Sequence, residues 1–192
     1  VERRLPFASR ETAGSAWDGS ALWQIAYKAR TISRLDPASG RVMAVIPTPG
    51  PGECSGMTFD GTRLWVANYD TEMIYAVMPR DGRVVAQISG NRETTGLAWD
   101  DGHLWAGFVL PSKAATEPSP RIGFIEEIDP RSQQPLRAFP LAGVAAGTAD
   151  TTPRSPRATR MWWYDGYHER VLELRRGHGR TFATRVFARG SG

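Results

Sequence analysis

Gly56-Met57-Thr58-Phe59-Asp60-Gly61-Thr62-Arg63-Leu64-Trp65-Val66-Ala67-Asn68 decides the fold, because the chain repeats it. Gly14-Ser15-Ala16-Trp17-Asp18-Gly19 leads to Leu22-Trp23, 42 residues earlier. Gly96-Leu97-Ala98-Trp99-Asp100 leads to Leu104-Trp105, 40 residues later. A worn copy runs from Gly147-Thr148-Ala149-Asp150 to Met161-Trp162. In the first copy, Gly14–Trp17, Ala21–Tyr27, Thr31–Leu35 and Arg41–Ile46 read as short strands. Asp18-Gly19 and Asp36-Pro37-Ala38-Ser39-Gly40 read as the turns between them. No segment carries a convincing helical period.

A period of 40–42 residues with four strands per unit predicts an all-β fold, a small β-propeller of four-stranded antiparallel blades. One such sheet cannot bury both faces alone, so neighbouring blades supply the core. The recurrent Trp pair, Trp17 and Trp23 in the first copy, is expected to pack between blades. The blades fall at about 10–52, 53–92, 93–143 and 144–189 of a single domain 1–192, with residues 1–9 as an extra closing strand. Four blades are expected. Five is the alternative, with one blade completed from elsewhere. Insertions at Pro111–Arg121 and Thr151–Arg157 interrupt the third and fourth units.

The 192 residues are enough for one sizeable core or a short repeat array. Gly 20 and Pro 14 suit many turns between short strands. The lone cysteine, Cys54, rules out an internal disulfide. No apolar run approaches the roughly 20 residues that span a bilayer, and no signal peptide is evident. The expectation is a soluble protein with no membrane partner, either exported with its leader removed or cytoplasmic. Net charge is +4, and from Thr151 onward nine Arg face only Asp165, Glu169 and Glu173. A solvated, Arg-rich outer strand accounts for that bias, so no nucleic-acid partner is expected. The strand at Val1–Ser9 offers a route to self-association.

The pattern Gly-x-x-Trp/Phe-Asp-Gly-x-x-Leu-Trp at Gly56–Trp65, with Ile-x-x-Leu-Asp-Pro-x-x-Gly-x-Val at Ile32–Val42, resembles a broad set of bacterial propellers. The set includes virginiamycin B lyase-like, gluconolactonase-like, NHL-type and glutaminyl cyclotransferase-like proteins. The resemblance covers nearly the whole chain. It implies the fold strongly and an activity only loosely, because these motifs are blade scaffolding. Families of this set usually have five to seven blades, so this chain is short for them.

Three units carry Glu three residues before the motif glycine: Glu11, Glu53 and Glu93. The fourth has Val144 there. In a propeller the first strand of each blade lines the central channel, so these carboxylates are expected to gather at one mouth. Gathered carboxylates need a cation, a proton or a basic partner. Oxygen ligands suit a hard divalent cation such as Ca²⁺ or Mg²⁺. The gluconolactonase-like resemblance implies a metal at the same place. The plainer alternative is that each Glu bonds neighbouring backbone or pairs with Arg10 or Arg92.

Loops joining strands two and three open on the same face. They bring Tyr27 and Lys28, Asn68, Tyr69 and Asp70, the Pro111–Arg121 insertion, read either as a lid or specificity loop or as plain variation, and Asp165, Tyr167 and His168. Glu53, Glu93 and His168 are the candidate proton carriers. Tyr27, Asn68, Tyr69, Asp70 and Tyr167 are the candidate substrate contacts. Glu11, Glu53 and Glu93 are the candidate metal ligands. His103 and His178 read as solvated turn residues, and Cys54 as a small buried one. There is no P-loop, dinucleotide fingerprint, zinc spacing or nucleophile elbow. The expected function is an enzyme of lyase or hydrolase type, including lactone hydrolysis and cyclotransfer, acting on a small polar molecule. The alternative is a propeller module that binds a ligand or protein without catalysis.

Overall fold

The computed structural model describes residues 11–90, 93–109, 123–141, 147–151, 160–165, 170–176 and 182–187. The strand read at Val1–Ser9, the Pro111–Arg121 insertion, residues 152–157 of the second insertion, Tyr167 and His168 lie outside them. The described residues form sixteen strands in four antiparallel sheets, and each sheet is a meander in chain order. The first sheet holds β1 (Thr12–Trp17), β2 (Leu22–Ala26), β3 (Thr31–Leu35) and β4 (Val42–Pro47). The second holds β5 (Cys54–Phe59), β6 (Leu64–Asn68), β7 (Met73–Val77) and β8 (Val84–Ser89). The third holds β9 (Thr94–Asp100), β10 (His103–Val109), β11 (Gly123–Asp129) and β12 (Gln134–Leu141). The fourth holds β13 (Gly147–Thr151), β14 (Arg160–Asp165), β15 (Arg170–Arg176) and β16 (Phe182–Phe187). The four sheets follow the four copies of the repeat. The chain divides into two compact units, Val1–Ser89 with the first two sheets and Gly90–Gly192 with the last two.

The Asp-Gly-x-x-Leu-Trp motif is a clamp on the first hairpin of a sheet. Asp60 Oδ1 accepts the backbone N–H groups of Thr62 (2.8 Å) and Arg63 (2.6 Å). Its Oδ2 accepts Arg63 Nε and Trp65 Nε1, both at 2.8 Å. Asp18 repeats this: Oδ1 takes the N–H groups of Ser20 and Ala21, and Oδ2 takes Trp23 Nε1 at 2.8 Å. The carboxylate thus satisfies turn amides and the one polar atom of a buried indole together. Trp23 and Trp65 are 1% and 0% exposed. An arginine lies over each ring, Arg34 at 5.9 Å and Arg63 at 5.1 Å. The third sheet shortens the turn to Asp101-Gly102, both with positive φ (47° and 81°), the conformation that Asp-Gly hairpins favour.

The motif glycine marks a close strand crossing. β1 lies against β5 inside the first unit. A Cβ on Gly14 would stand 2.6 Å from Met57 N and 2.8 Å from the Gly56 carbonyl carbon, so only glycine fits. Beside this crossing the first strand carries one extra residue against its hairpin partner: the register slips between Thr12 and Ser15 in β1, and between Cys54 and Met57 in β5. β9 slips at the matching place, opposite Gly107 and Phe108. A bulge at one position in three sheets re-aims the residues just before it.

The core of the first unit joins its two sheets. Trp23, Ile25, Ile32 and Ile46 of the first sheet share one cluster with Met57, Leu64, Val66 and Val77 of the second. The expected packing of Trp between blades holds for Trp23, but Trp17 stands 53% exposed. Trp17 follows Ala16 on a strand, so its side chain takes the opposite face. In the second unit, Trp105 stacks on Phe139 and Phe108 on Phe124, with centroids 6.2 and 5.6 Å apart.

Candidate functional site

Glu11 and Glu53 each sit three residues before the glycines that meet at the β1–β5 crossing. Each is tied to the turn after the second strand of its sheet: Tyr27 N–H donates to Glu11 O (3.2 Å) and Tyr69 N–H to Glu53 O (2.8 Å). The backbone therefore builds the same corner twice, with a glutamate and a tyrosine in each. Lys28 pairs with the glutamate of the first corner. Its Nζ is 2.6 Å from Glu11 Oε1. Its pKa is raised by the hydrogen bond and charge of Glu11, with Tyr27 and Glu53 adding to the effect, so the ammonium form is reinforced. The pair is open to water, with Lys28 59% and Glu11 40% exposed.

The loop that delivers Glu53 is locked. Pro49-Gly50-Pro51-Gly52 precedes it, and both glycines have positive φ (71° and 79°). Asn68 Nδ2 donates to the carbonyls of Pro49 (3.0 Å) and Pro51 (2.7 Å), and Asn68 Oδ1 accepts from Thr71 N. Arg30 Nη2 reaches Gly50 O at 2.7 Å. Asp70 Oδ2 accepts Glu53 N–H at 2.7 Å, and a Cβ on Gly52 would collide with that carboxylate. Asn68 is fully buried, so the structure places it behind the loop as a positioning residue. Asp70 grips the backbone of Glu53 from an exposed turn, Tyr69 is 38% exposed beside it, and Tyr27 is half-buried against the core. Cys54 follows Glu53 into the core. Burial pushes its thiol up to about 11, against smaller opposing effects of Thr48, Arg30 and Asn68.

Glu93 holds the matching position before β9 in the second unit. Tyr167 and His168 lie outside the described residues. As ligands for Ca²⁺ or Mg²⁺ the first unit's carboxylates do not fit. Such ions take six or more oxygens. Here Glu11 already faces an ammonium, and among the described residues no three His, Cys, Asp or Glu side chains gather to share an ion.

One charged cluster escaped the sequence reading. Glu127 on β11 is 1% exposed. Its Oε2 accepts Arg137 Nη2 (2.6 Å) and Nε (2.9 Å), and its Oε1 lies 3.1 Å from His103 Nδ1. His103 thus opens β10 beside a buried carboxylate, with its side chain still 37% exposed. The signal was faint: Glu127 faces Trp105 and Arg137 across the sheet, and only strand register shows it.

No family model and no curated protein matches the chain. Solved structures do. Myxococcus xanthus glutaminyl cyclase is 15% identical with a TM-score of 0.67, over 91% of this chain and 70% of that one. The Myceliophteria thermophila Cps50 (Swd1) β-propeller domain is 12% identical with a TM-score of 0.61, over 99% and 62%. A chain of a mitotic checkpoint complex is 13% identical with a TM-score of 0.59, over 92% and 53%. The likeness is one of fold, and it identifies the sheets as propeller blades.

Proposed function

We propose that the chain is a propeller protein that binds and transforms a small polar molecule at the Glu11–Lys28–Glu53 end of its first unit. In this reading the four sheets are the four blades of one small propeller, and the chemistry is of lyase or hydrolase type, cyclotransfer included. One observation supports it: Lys28 pairs with Glu11 at one corner, and Glu53 stands at the matching corner on backbone held by Asp70 and Asn68. Preorganised polar groups of this kind are what proton-transfer chemistry uses. Glu53 is the proton carrier. Its side chain is exposed, and its backbone is held by Asp70 and Tyr69. Lys28 steadies negative charge that develops on a substrate oxygen, while Tyr27 and Tyr69 flank the bound molecule. No step passes through a metal.

The test is turnover of a panel of lactones, cyclic esters and peptides with N-terminal glutamine, by wild type and Glu53→Gln. A substrate should appear whose kcat falls at least a hundredfold in Glu53→Gln while the melting temperature stays put, as loss of a general base requires. If Glu53→Gln turns it over as fast as wild type, the assignment fails. If no compound is turned over but one raises the melting temperature, the function is binding.

A further inference from the structure

We infer that β4, the outer strand of the first sheet, pairs with β4 of a second copy of this chain in a weak two-fold dimer. Val42-Met43-Ala44-Val45-Ile46 is an apolar run with no polar residue in it. The other outer strands interrupt theirs: β8 with Gln87, β12 with Pro135 and Arg137, β16 with Arg185. Interruptions of that kind keep an edge strand from pairing with another chain. β4 has β3 on one side and, among the described residues, no strand on the other. Val42, Met43 and Val45 are 43%, 42% and 55% exposed. The backbone is open there as well. Thr48 N–H donates to Arg30 O at 3.0 Å, in register with the Thr31–Pro47 and Ser33–Val45 pairs. Inward and outward residues alternate along an antiparallel edge, so Ala44, Ile46 and Thr48 bond toward β3 while Val45 and Pro47 turn outward. Pro47 stands where a missing N–H leaves the ladder whole. Val45 presents both its N–H and its C=O on the open side.

The occupant that fits this edge is the same strand. Paired antiparallel about Val45, two copies exchange both Val45 N–H···O=C bonds across the axis. Ala44 then faces Ile46 of the second copy, Met43 faces Pro47, and Arg41 falls opposite Pro49, so no two like charges meet. The bulge that leaves Met43 without a partner on β3 limits the straight edge to Ala44–Pro47, so the interface is small and the dimer transient. The inference concerns the outer edge of the first sheet and goes beyond the proposed activity. The experiment is sedimentation velocity of wild type, Val45→Lys, Val45→Pro and Trp17→Ser over about 5 to 500 μM. Wild type should pass from monomer to dimer with a dissociation constant of about 100 μM. Val45→Lys should raise that constant by at least about tenfold, as a charge on an edge strand does. Val45→Pro removes the outward N–H and no bond to β3, and should do the same. Trp17 is 53% exposed on β1, at the opposite side of the sheet, so Trp17→Ser should dimerise as wild type does. Wild type that stays monomeric throughout overturns the inference and leaves a strand of another protein as the occupant. Growth beyond the dimer overturns it too, because a two-fold pairing closes. So does a dimer that Val45→Lys leaves unchanged or that Trp17→Ser abolishes. If Val45→Pro fails to fold, Val45→Lys decides.

Discussion

Asp60 shows how much one side chain of this repeat does. Its carboxylate takes four donors from three residues and is 2% exposed. Asp60→Ala should lower the free energy of unfolding by about 2–3 kcal/mol, because turn amides and the Trp65 indole N–H lose a charged acceptor together. Urea denaturation measures it, and Asp60→Asn should cost less. Asp18 adds a pH effect. Burial opposes its charge, but hydrogen bonds from Ser20 and Trp23 win and hold its pKa well below the usual carboxylate range. The stability it contributes is present above its ordinary value of 3.8 and fades as pH falls toward its lower folded value. Cys54 has the opposite sign. The unfolded thiol ionises near 9.0 and the folded one at about 11, so stability is full below pH 9 and declines as pH rises between the two. Urea melts at pH 8 and pH 10.5 should differ by up to about 2 kcal/mol more in wild type than in Cys54→Ala.

At the scale of the element, the first strand of each sheet is where sequence and structure meet. The β1–β5 crossing leaves no space for a methyl group at Gly14. Gly14→Ala should cost about 2–3 kcal/mol in chemical denaturation, by overpacking backbone that cannot yield. The repeat made the strands, their meander order and the matched places of Glu11, Glu53 and Glu93 legible, because turn residues and apolar alternation are local signals. It did not show that Asn68 is spent on the carbonyls of Pro49 and Pro51, or that Lys28 settles on Glu11. Those contacts join residues 17 to 19 apart on neighbouring turns, and only folded geometry decides them. The Glu127 cluster stayed hidden for the same reason: a Glu within Gly123–Asp129 reads as an ordinary strand residue until the register puts Arg137 and His103 against it.

For the molecule as a whole, stability is a matter of neighbouring sheets. The cluster holding Trp23 and Val66 draws on both sheets of the first unit, so neither sheet keeps its core without the other. A double-mutant cycle of Trp23→Phe with Val66→Ala should show a coupling of at least about 0.5 kcal/mol. The same cycle with Val84→Ala, at a residue 42% exposed, should be additive. The clamped hairpin turns carry another consequence. A Cβ added at Gly61 would meet nothing within 4 Å, and the next residue, Thr62, is exposed and bonds Asp60 only through its backbone. Cys54, the one native thiol, is buried and resists ionisation. Thr62→Cys would therefore accept a single dye or spin label with the native cysteine left in place. The label would sit at the opposite end of β5 from Glu53, a fixed reporter for ligands arriving there.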